Sequence, residues 1–485
     1  MPEVAAPDLA AVRRRLEAVG QEHVLRFADG LGASNAAAFA SQVSDIDLEA
    51  LPELIEKYVR HADAFELPDA VDPAAYYPRD PADAARPWDA EAARRAGDEL
   101  IGAGKVACFT VAGGQGTRLG YDGPKGCYPT SCVSEKSLFE LFAEQILATA
   151  RTYGVIVPWY IMTSPLNHDA TVAFFEEHHF FGLDRENVAF FQQGVMPSMD
   201  KATGKLLLAE KGKLATNPDG HGGALLALFK SGAIDDMKAR GVEHISFFQV
   251  DNPNVRVVDP VFLGLHVSAE DSSGEMSSKM IPKAEAGEKV GVFCRVGGEG
   301  GRTTVIEYSD MPDELSSATD DHGKLRFLAG SIAIHAISVR FVERIISDPA
   351  MALPFHRAVK KVPFVDLDSG ERVEPGEPNA VKLEKFIFDA VPLAEHSIVF
   401  ETDRVEEFAP VKNREGVDSI VTSKQLQSER AARWLEGAGV KVPRTPSGEV
   451  DATIEISPLT ALSAEQLRGR GDLPESIEAG SKVVL

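Results

Sequence analysis

Residues 111–126 read V-A-G-G-Q-G-T-R-L-G-Y-D-G-P-K-G, with six glycines, one arginine and one lysine in sixteen positions. The stretch directly follows the apolar run V-A-C-F-T at residues 106–110. Glycines let backbone N–H groups approach phosphate oxygens closely, while a guanidinium and an ammonium add positive charge. The pattern predicts a phosphate-binding loop after a buried strand, with Arg118 and Lys125 as its cations. The alternative is a surface turn with incidental charges.

Two well-known phosphate loops do not fit this spacing. A dinucleotide fingerprint, G-x-G-x-x-G, that begins at Gly114 would need its third glycine at Leu119. A P-loop needs Ser or Thr directly after its lysine, and here Lys125 is followed by Gly126. The spacing therefore argues against a nicotinamide oxidoreductase and against a P-loop nucleotidase.

Outward from the loop, residues from about 100 to 390 alternate between apolar runs and helical stretches. The runs include V-P-W-Y-I-M-T-S, V-A-F-F-Q-Q and I-S-F-F-Q-V-D-N, and one intervening stretch is S-L-F-E-L-F-A-E-Q-I-L-A-T-A. This alternation is typical of an α/β fold with a mostly parallel sheet. Several runs end in polar loops, and open α/β sheets bind their ligands at the edge where such loops meet. In the V-D-N loop, Asp251 is a candidate Mg²⁺ ligand because hard cations favour oxygen.

A chain of 485 residues is too long for one ordinary core, so several domains are expected. Residues 1–95 have helical spacing and end in a Pro/Asp-rich connector, which predicts a helical N-terminal domain. Residues 96–390 form the predicted catalytic domain. Residues 391–485 contain one more helical stretch and a short β-like run, which predicts a C-terminal α+β domain.

The charge and cysteine content limit the partners and the compartment. A formal net charge of −24 argues against nucleic acid and anionic membranes, although a small phosphorylated ligand responds to a local cationic cluster. The four cysteines lack the paired spacing of a zinc site and are expected to be reduced thiols. We find neither a signal sequence nor a run of about 18 apolar residues, so the cytoplasm is the expected compartment.

The chain resembles the type I uridylyltransferases, and among them the UDP-N-acetylglucosamine (UDP-N-acetylhexosamine) pyrophosphorylases of eukaryotic type. Beyond the glycine-rich loop, the matching motifs follow in family order over roughly residues 100–415. They are K-S-L-F-E-L-F-A-E-Q-I, Y-I-M-T-S, F-F-E-E-H-H-F-F-G-L, N-P-D-G-H-G-G, Q-V-D-N-P-N-V-R-V-V-D-P-V-F-L-G, V-I-E-Y-S-D, A-V-K-K-V-P-F-V-D, P-N-A-V-K-L-E-K-F-I-F-D and F-A-P-V-K-N.

The resemblance implies both a fold and a reaction. The expected fold is a Rossmann-like, GT-A-like nucleotidyltransferase domain with a mixed, mostly parallel sheet, flanked by smaller N- and C-terminal domains. The expected reaction joins UTP and a sugar 1-phosphate into a UDP-sugar and pyrophosphate, reversibly and with Mg²⁺. The expected partners are these two substrates, in a monomer or weak homo-oligomer.

The resemblance also implies roles for individual residues. The implied cations at the phosphates are Arg118, Lys125 and Lys412. The implied nucleotide contacts are Gly113, Gly114, Gly116, Gln193, Gly220 and His221. The implied sugar-side contacts are Asp251, Glu307, Ser331, Lys382, Phe386 and Phe388. The implied Mg²⁺ ligand is Asp251, with Asp389 as a second candidate in the same region.

Two positions depart from the N-acetylhexosamine pattern and bear on the choice of sugar. Ser331 stands in A-G-S where those enzymes have A-G-N, and His221 stands in G-H-G-G where they have G-N-G-G. A shorter hydroxyl in place of an amide leaves sugar contacts unmade or bridged by water. N-acetylglucosamine 1-phosphate remains the leading expected substrate, with glucose 1-phosphate or a broad sugar range as the alternative. A non-catalytic nucleotide-sugar-binding protein is the hypothesis from a different class.

Overall fold

A computed structural model of the chain describes residues 9–61, 67–68, 70–298 and 300–485. Its α-helices are α1 (Leu9–Ala18), α2 (Ala33–Ser44), α3 (Leu51–Ile55), α4 (Ala90–Gly102), α5 (Leu138–Tyr153), α6 (His168–Glu177), α7 (Ala224–Lys230), α8 (Ala233–Ala239), α9 (Pro260–Ser268), α10 (Asp313–Ser316), α11 (Val339–Ser347), α12 (Arg404–Glu407), α13 (Ile420–Gly437) and α14 (Ala464–Arg468). Among the described residues, no helix is both long enough and apolar enough to cross a bilayer.

The strands are short and numerous. They are β1 (Val71–Pro73), β2 (Val106–Val111), β3 (Trp159–Thr163), β4 (Val188–Gln192), β5 (Val195–Pro197), β6 (Met199–Asp200), β7 (Leu208–Glu210), β8 (Lys213–Leu214), β9 (Thr216–Pro218), β10 (His244–Gln249), β11 (Met276–Pro282), β12 (Val292–Val296), β13 (Arg302–Ile306), β14 (Ala329–Ser338), β15 (His356–Lys360), β16 (Phe364–Val365), β17 (Arg372–Val373), β18 (Ala380–Glu384), β19 (Val399–Glu401), β20 (Thr453–Glu455) and β21 (Lys482–Val484).

The main sheet is mixed, and its parallel part consists of the strands that the apolar runs of the sequence predict. In the described residues the strand order is β1-β12-β14-β10-β2-β3-β4, with β11 and β13 added beside β14 and β12, and β19 beside β11. Strands β10, β2, β3 and β4 are parallel to one another, and β14 pairs antiparallel with β10. The four parallel strands thus end at one edge, with Val111, Thr163, Gln192 and Gln249 as their last residues. This arrangement confirms the predicted α/β class with a mixed sheet.

The local sequence explains why the parallel strands are central. Strand β2 is a run of six residues of which five are buried, as expected where helices cover both faces of a sheet. Helix α5 covers β2 and β3 with Phe139 and Phe142, which are fully buried. It begins where the Ser137 hydroxyl accepts the N–H of Glu140, and it ends at Gly154 in the left-handed conformation. The apolar face, the N-cap Ser137 and the terminating Gly154 therefore all favour a helix over the same residues.

Helices α4 and α9 pack closely because each presents a glycine to the other. A Cβ atom on Gly97 would lie 1.8 Å from the carbonyl oxygen of Pro260, and one on Gly264 would lie 1.7 Å from that of Ala93. These are distances at which no side chain fits. Small residues at a helix contact allow backbones to approach in this way.

Contacts group the described residues into two compact units. The first unit contains the described residues of 1–66, 193–223 and 353–386, and the second contains those of 67–192, 224–352 and 387–485. The first unit holds α1 to α3 and the small sheet β15-β18-β6 around a core that includes Leu16, Phe39 and Met199. Its limits differ from the predicted domain boundaries at 95 and 390, because two later segments of the chain pack with the first helices.

The second unit contains the main sheet and the C-terminal segment. In that segment, α13 begins at a capping box between Ser419 and Thr422 and packs with α14, β20 and β21 around Leu435 and Ile454. The predicted C-terminal helix and β-like run are therefore present. The four cysteines of the chain all lie in the second unit, where each is buried and free.

Candidate active site at the carboxyl edge of the parallel strands

The glycine-rich loop leaves β2 and folds back on itself. The N–H of Gly116 donates to the carbonyl of Gly123 at 2.9 Å, and the N–H of Lys125 donates to that of Gly114 at 3.0 Å. Gly120 has φ +74°, which a glycine adopts without strain, and it ends the short helix Thr117–Leu119. The loop is therefore a defined double turn.

Three consecutive N–H groups of this loop face away from its internal bonds. Among the described residues, the N–H groups of Gly113, Gly114 and Gln115 donate to no acceptor. Gly114 is exposed and Gly113 is half-buried. Successive backbone N–H groups without protein acceptors form the concave donor site that binds phosphate oxygens. Gly113 and Gly114 thus present free N–H donors, and their nucleotide contacts stay a prediction, while Gly116 serves the inner turn.

The two predicted cations of the loop lie in different environments. Arg118 is exposed on the short helix Thr117–Leu119. Lys125 is buried at 7% exposure, at the start of the short helix Lys125–Cys127. Gly126 fixes this helix against α5, since a Cβ atom there would lie 2.2 Å from the ring of Phe139. Lys125 is therefore held, whereas Arg118 extends into solvent.

Lys125 meets Asp251 across the sheet edge. Its Nζ lies 4.0 Å from Oδ2 of Asp251, and the two side chains are 9% and 16% exposed. Asp251 follows β10, which pairs with β2 so that Gln249 is opposite Val111. Parallel pairing thus places the two loops side by side, as predicted from the V-D-N turn.

Lys412 is brought to the same place by backbone contacts. The N–H of Val411 donates to the carbonyl of Asp251 at 2.7 Å. Nζ of Lys412 lies 3.4 Å from the carboxylate of Asp418, and its N–H donates to the Asp418 carbonyl at 2.7 Å. Asn252 anchors the same segment, since its amide donates to the carbonyl of Glu407 at 2.6 Å. The segment that carries Lys412 therefore lies beside Asp251, and we refer to Lys125, Asp251 and Lys412 as the phosphate cluster.

Sequence reasoning missed the side chain that braces the glycine-rich loop. Asn167 is 1% exposed, and its amide donates to the carbonyls of Ala112 at 2.9 Å and Gly114 at 3.2 Å. Its Oδ1 accepts the N–H of Ser164 at 2.8 Å. Asn167 follows the end of β3, and that position at the strand edge was the only signal that the sequence offered.

Two predicted sugar contacts lie together further along the second unit. Ser331 is on β14, and its N–H donates to the carbonyl of Gly291 at 2.8 Å. Glu307 directly follows β13, and a Cβ atom on Gly291 would lie 3.1 Å from its Oε1. Glu307 and Ser331 therefore both lie beside Gly291, and their contact with a sugar stays a prediction. Both residues are half-buried.

Predicted nucleotide contacts of the first unit form a compact loop. A Cβ atom on Gly220 would lie 2.3 Å from the carbonyl oxygen of Lys385, and the N–H of Asp219 donates to the carbonyl of Gly194 at 3.1 Å. Gln193, which is buried, directly precedes Gly194. The pairing of these backbones holds the P-D-G-H-G-G loop beside the segment that carries Gln193.

His221 and Phe386 stack within the first unit. Their ring centroids are 5.1 Å apart with planes at 18°, and His356 lies on Phe386 with centroids 4.3 Å apart. Burial, together with the nearby charge of His356, lowers the pKa of His221 to about 4. His221 is therefore neutral at physiological pH and can serve as both donor and acceptor.

The remaining predicted residues fall in both units. Lys382 is on β18 in the first unit, opposite Ala358 of β15. Phe388 and Asp389 lie in the second unit, in the short helix Ile387–Leu393, where Phe388 is buried and Asp389 half-buried. Their roles stay predictions.

The donor set near Lys125 suits a cation that is shared with a substrate. Within the described ranges, no group of three or more His, Cys, Asp or Glu side chains is placed to hold a metal ion. Mg²⁺ is commonly bound through one or two carboxylates together with substrate phosphates and water, and it does not need an all-protein cage. Asp251 supplies one partly exposed carboxylate at the sheet edge, which fits that mode.

A cavity of about 490 Å³ in the second unit lies apart from these residues. Its walls include Trp88, Asn254, Arg430 and Trp434, and none of the predicted site residues lines it. Beside it, the fully buried Lys279 contacts carboxylates of Asp259 and Glu407, each at 2.6 Å. Arg256 also lies 3.4 Å from Asp259, so two cations and two carboxylates compensate one another, which is a structural arrangement.

Known proteins with similar sequences identify the family. The family model described as "UTP--glucose-1-phosphate uridylyltransferase" matches residues 84–435. The human "UDP-N-acetylhexosamine pyrophosphorylase-like protein 1" is 38% identical over 94% of this chain and 93% of its own length. The Saccharomyces cerevisiae "UDP-N-acetylglucosamine pyrophosphorylase" is 38% identical over 72% of this chain and 73% of its own.

This chain belongs to the UTP--glucose-1-phosphate uridylyltransferase family. A solved structure of the uridine diphosphate N-acetylglucosamine pyrophosphorylase from Trypanosoma brucei, in complex with an inhibitor, superimposes with a TM-score of 0.82. It is 25% identical and covers 98% of this chain and 99% of its own. The predicted family is therefore confirmed, and so is the predicted fold. The matched region includes the glycine-rich loop, Asp251 and Lys412.

Proposed function

We propose that this protein transfers the uridylyl group of UTP to N-acetylglucosamine 1-phosphate, giving UDP-N-acetylglucosamine and pyrophosphate. A phosphate oxygen of the sugar phosphate attacks the α-phosphorus of UTP and forms a new P–O bond. The bond from that phosphorus to the oxygen bridging to the β-phosphorus breaks, and pyrophosphate leaves with the electron pair. No proton has to move, because the nucleophile is already an anion.

The phosphate cluster supports this chemistry best. Phosphoryl transfer depends on alignment and on compensation of the charge on the transferred and leaving groups. The N–H groups of Gly113 and Gly114, which have no protein acceptor among the described residues, would receive phosphate oxygens, and Lys125 lies beside Gly114 in a largely buried position. An ammonium that is excluded from water stabilises developing negative charge more strongly than one in solvent.

Magnesium is part of the proposal. Asp251 would hold the ion at the sheet edge, and when bound it would supply charge neutralisation at the phosphates. Lys412 would add a second ammonium, and its pairing with Asp418 limits its freedom. Asp389 remains the second candidate for a carboxylate in this region.

The choice of N-acetylglucosamine 1-phosphate rests on the relatives. The printed names of the human and yeast proteins concern N-acetylhexosamine or N-acetylglucosamine, at 38% identity in each case. Glu307 and Ser331 would contact the sugar, with Phe388 of the same unit as a candidate for the lining of its pocket, and the sugar-side role of Phe386 stays a prediction. Glucose 1-phosphate is the second candidate, because Ser331 offers a hydroxyl where an amide was expected.

The test is an assay of pyrophosphate release with UTP, Mg²⁺ and a panel of sugar 1-phosphates. The proposal predicts the highest kcat/KM with N-acetylglucosamine 1-phosphate. Lys125→Met serves as the inactive control and should lower kcat by about 100-fold or more. Arg151→Ala, an exposed change at the end of α5, serves as the matched active control. If none of the sugar 1-phosphates gives pyrophosphate release, the proposed reaction is refuted. If only glucose 1-phosphate gives release, the proposed sugar is refuted.

Two further expectations accompany this function. The four buried, free cysteines support the cytoplasm as the proposed compartment, since such thiols persist under reducing conditions. The monomer or weak homo-oligomer stays a prediction, which light scattering coupled to size exclusion would test.

A further inference from the structure

A second guanidinium lies against the glycine-rich loop. A Cβ atom on Gly120 would lie 3.8 Å from both Cδ and Nη1 of Arg414 and 4.0 Å from its Nε. Arg414 therefore rests on the turn that ends the short helix carrying Arg118. Any larger residue at position 120 would also be strained by the φ of +74°.

Neither arginine at this turn is neutralised by the protein. Within the described residues, Arg118 and Arg414 form no ion pair with a carboxylate and donate no hydrogen bond, and both are exposed. Most other arginines of the second unit form an ion pair with a carboxylate, as Arg404 does with Glu288. Two unpaired arginines, one on this short helix and one against the glycine that ends it, give this turn a local positive charge on a protein whose formal net charge is −24.

The segment that carries Arg414 is fixed to the phosphate cluster. Val411 bonds to the backbone of Asp251, and Lys412 directly follows it. The N–H of Asn413 donates to the carbonyl of Asp418 at 3.1 Å, which closes the segment into a tight loop. Arg414 is thus presented to the glycine-rich loop by the same backbone contacts that place Lys412.

We infer that Arg414 binds the pyrophosphate group beside Arg118, for which the family resemblance already implies a phosphate contact. The group is the β- and γ-phosphates of UTP in the forward direction and free pyrophosphate in the reverse direction. This inference rests on the proposed function. A guanidinium presents paired donors that match two phosphate oxygens, and two such groups suit the two phosphates of pyrophosphate. Arg414 is then a binding residue for the leaving group and has no contact with the sugar.

The test measures pyrophosphate directly. Isothermal titration of Mg-pyrophosphate into the full-length protein should show binding that is about tenfold weaker in Arg414→Ala, as expected for the loss of a charge-assisted hydrogen-bond pair. Arg414→Lys should restore part of the affinity, and Arg151→Ala should bind as the unmodified protein does. Equal affinity in Arg414→Ala and the unmodified protein would overturn the inference.

Steady-state kinetics separates binding from a merely structural role. In the pyrophosphorolysis direction, Arg414→Ala should raise the KM for pyrophosphate about tenfold and leave the KM for the UDP-sugar unchanged. A loss of both affinities, or of thermal stability alone, would assign Arg414 a packing role and overturn the inference. If the unmodified protein binds pyrophosphate but makes no UDP-sugar, the proposed function fails while the titration still decides the role of Arg414.

Discussion

Nζ of Lys125 lies 4.0 Å from Oδ2 of Asp251, although 126 positions separate them in the sequence. The parallel pairing of β2 and β10 brings these two side chains together. The N–H of Val250 donates to the carbonyl of Val111 at 3.1 Å, so the loops after β2 and β10 leave the edge side by side. A cation and a carboxylate at one water-poor edge are the elements that a metal-assisted phosphate reaction needs.

Asp251→Asn is expected to remove most of the Mg²⁺-dependent turnover. The amide keeps the shape but lacks the charge that holds a hard cation, so kcat should fall by about 100-fold or more, with the thermal midpoint nearly unchanged. Pyrophosphate release at saturating UTP measures the effect. Asp169→Asn, an exposed change on α6, is the matched control. Full activity of Asp251→Asn with Mg²⁺ would show that another residue holds the metal.

Ser331→Asn is expected to shift sugar preference towards the N-acetyl substrate. The longer amide would reach groups that the serine hydroxyl leaves unmet beside Gly291 and Glu307. The ratio of kcat/KM for N-acetylglucosamine 1-phosphate over glucose 1-phosphate should rise about tenfold, a size typical of one recognised polar group. The KM for UTP should not change. An unaltered ratio would place Ser331 outside the sugar pocket.

Gly264→Ala is expected to destabilise the second unit. The added methyl would collide with the backbone of Ala93 in α4, at a contact that has no flexible side chain to move aside. Overpacking of this kind costs about 1–3 kcal/mol. Gly102→Ala is the matched control, because it is also helical and nothing lies within 4 Å of its added Cβ. Calorimetry should show a lower midpoint for Gly264→Ala only; equal midpoints would mean that the α4–α9 contact is looser than described.

Stability is expected to fall between pH 6.5 and about pH 4 because of buried histidines, among them His221, His244 and His266. Burial lowers the pKa of His244 to about 4, and burial with the nearby His244 lowers the pKa of His266 well below 6.5. The unfolded chain therefore binds more protons in this range. The full stability is present above pH 6.5 and declines as the pH falls, by up to about 1.4 kcal/mol per pH unit for each group.

Urea unfolding at pH 7.5 and pH 5 tests this effect. The ring nitrogens Nδ1 of His244 and Nε2 of His266 are 3.1 Å apart, so one donates and the other accepts, which requires the accepting ring to be neutral. His244→Asn should lessen the difference in unfolding free energy between the two pH values, whatever it does to the absolute value. An identical difference in both proteins would mean that other groups, such as His221 or paired carboxylates, cause the acid sensitivity.

The sequence was sufficient to predict the sheet edge. Strands β2, β3, β4 and β10 are mostly apolar runs that end in polar loops and alternate with helical stretches, so their type and parallel direction follow from the sequence pattern. The helical spacing of α5 between a serine cap and Gly154 is equally local. Once those strands are parallel, the meeting of Lys125 and Asp251 follows from geometry.

The sequence could not predict which distant segments pack together. Residues 193–223 and 353–386 join the first helices through side chains such as Met199 and Leu383, and a run of two or three strand residues carries no signal of its partner. The asparagines were missed for a related reason. Asn167 and Asn252 act on backbone carbonyls that lie 53 to 155 positions away. A polar loop residue has the same appearance in the sequence whether or not it finds such an acceptor.

The proposed attack on the α-phosphorus is tested most directly by following the fate of each phosphate of UTP. Incubate the protein with Mg²⁺, N-acetylglucosamine 1-phosphate and UTP labelled at either the α- or the γ-phosphate, and separate the products. Attack at the α-phosphorus predicts the α label in UDP-N-acetylglucosamine and the γ label in pyrophosphate. A γ label that appears in orthophosphate, or an α label that never reaches a UDP-sugar, would contradict the proposed uridylyl transfer.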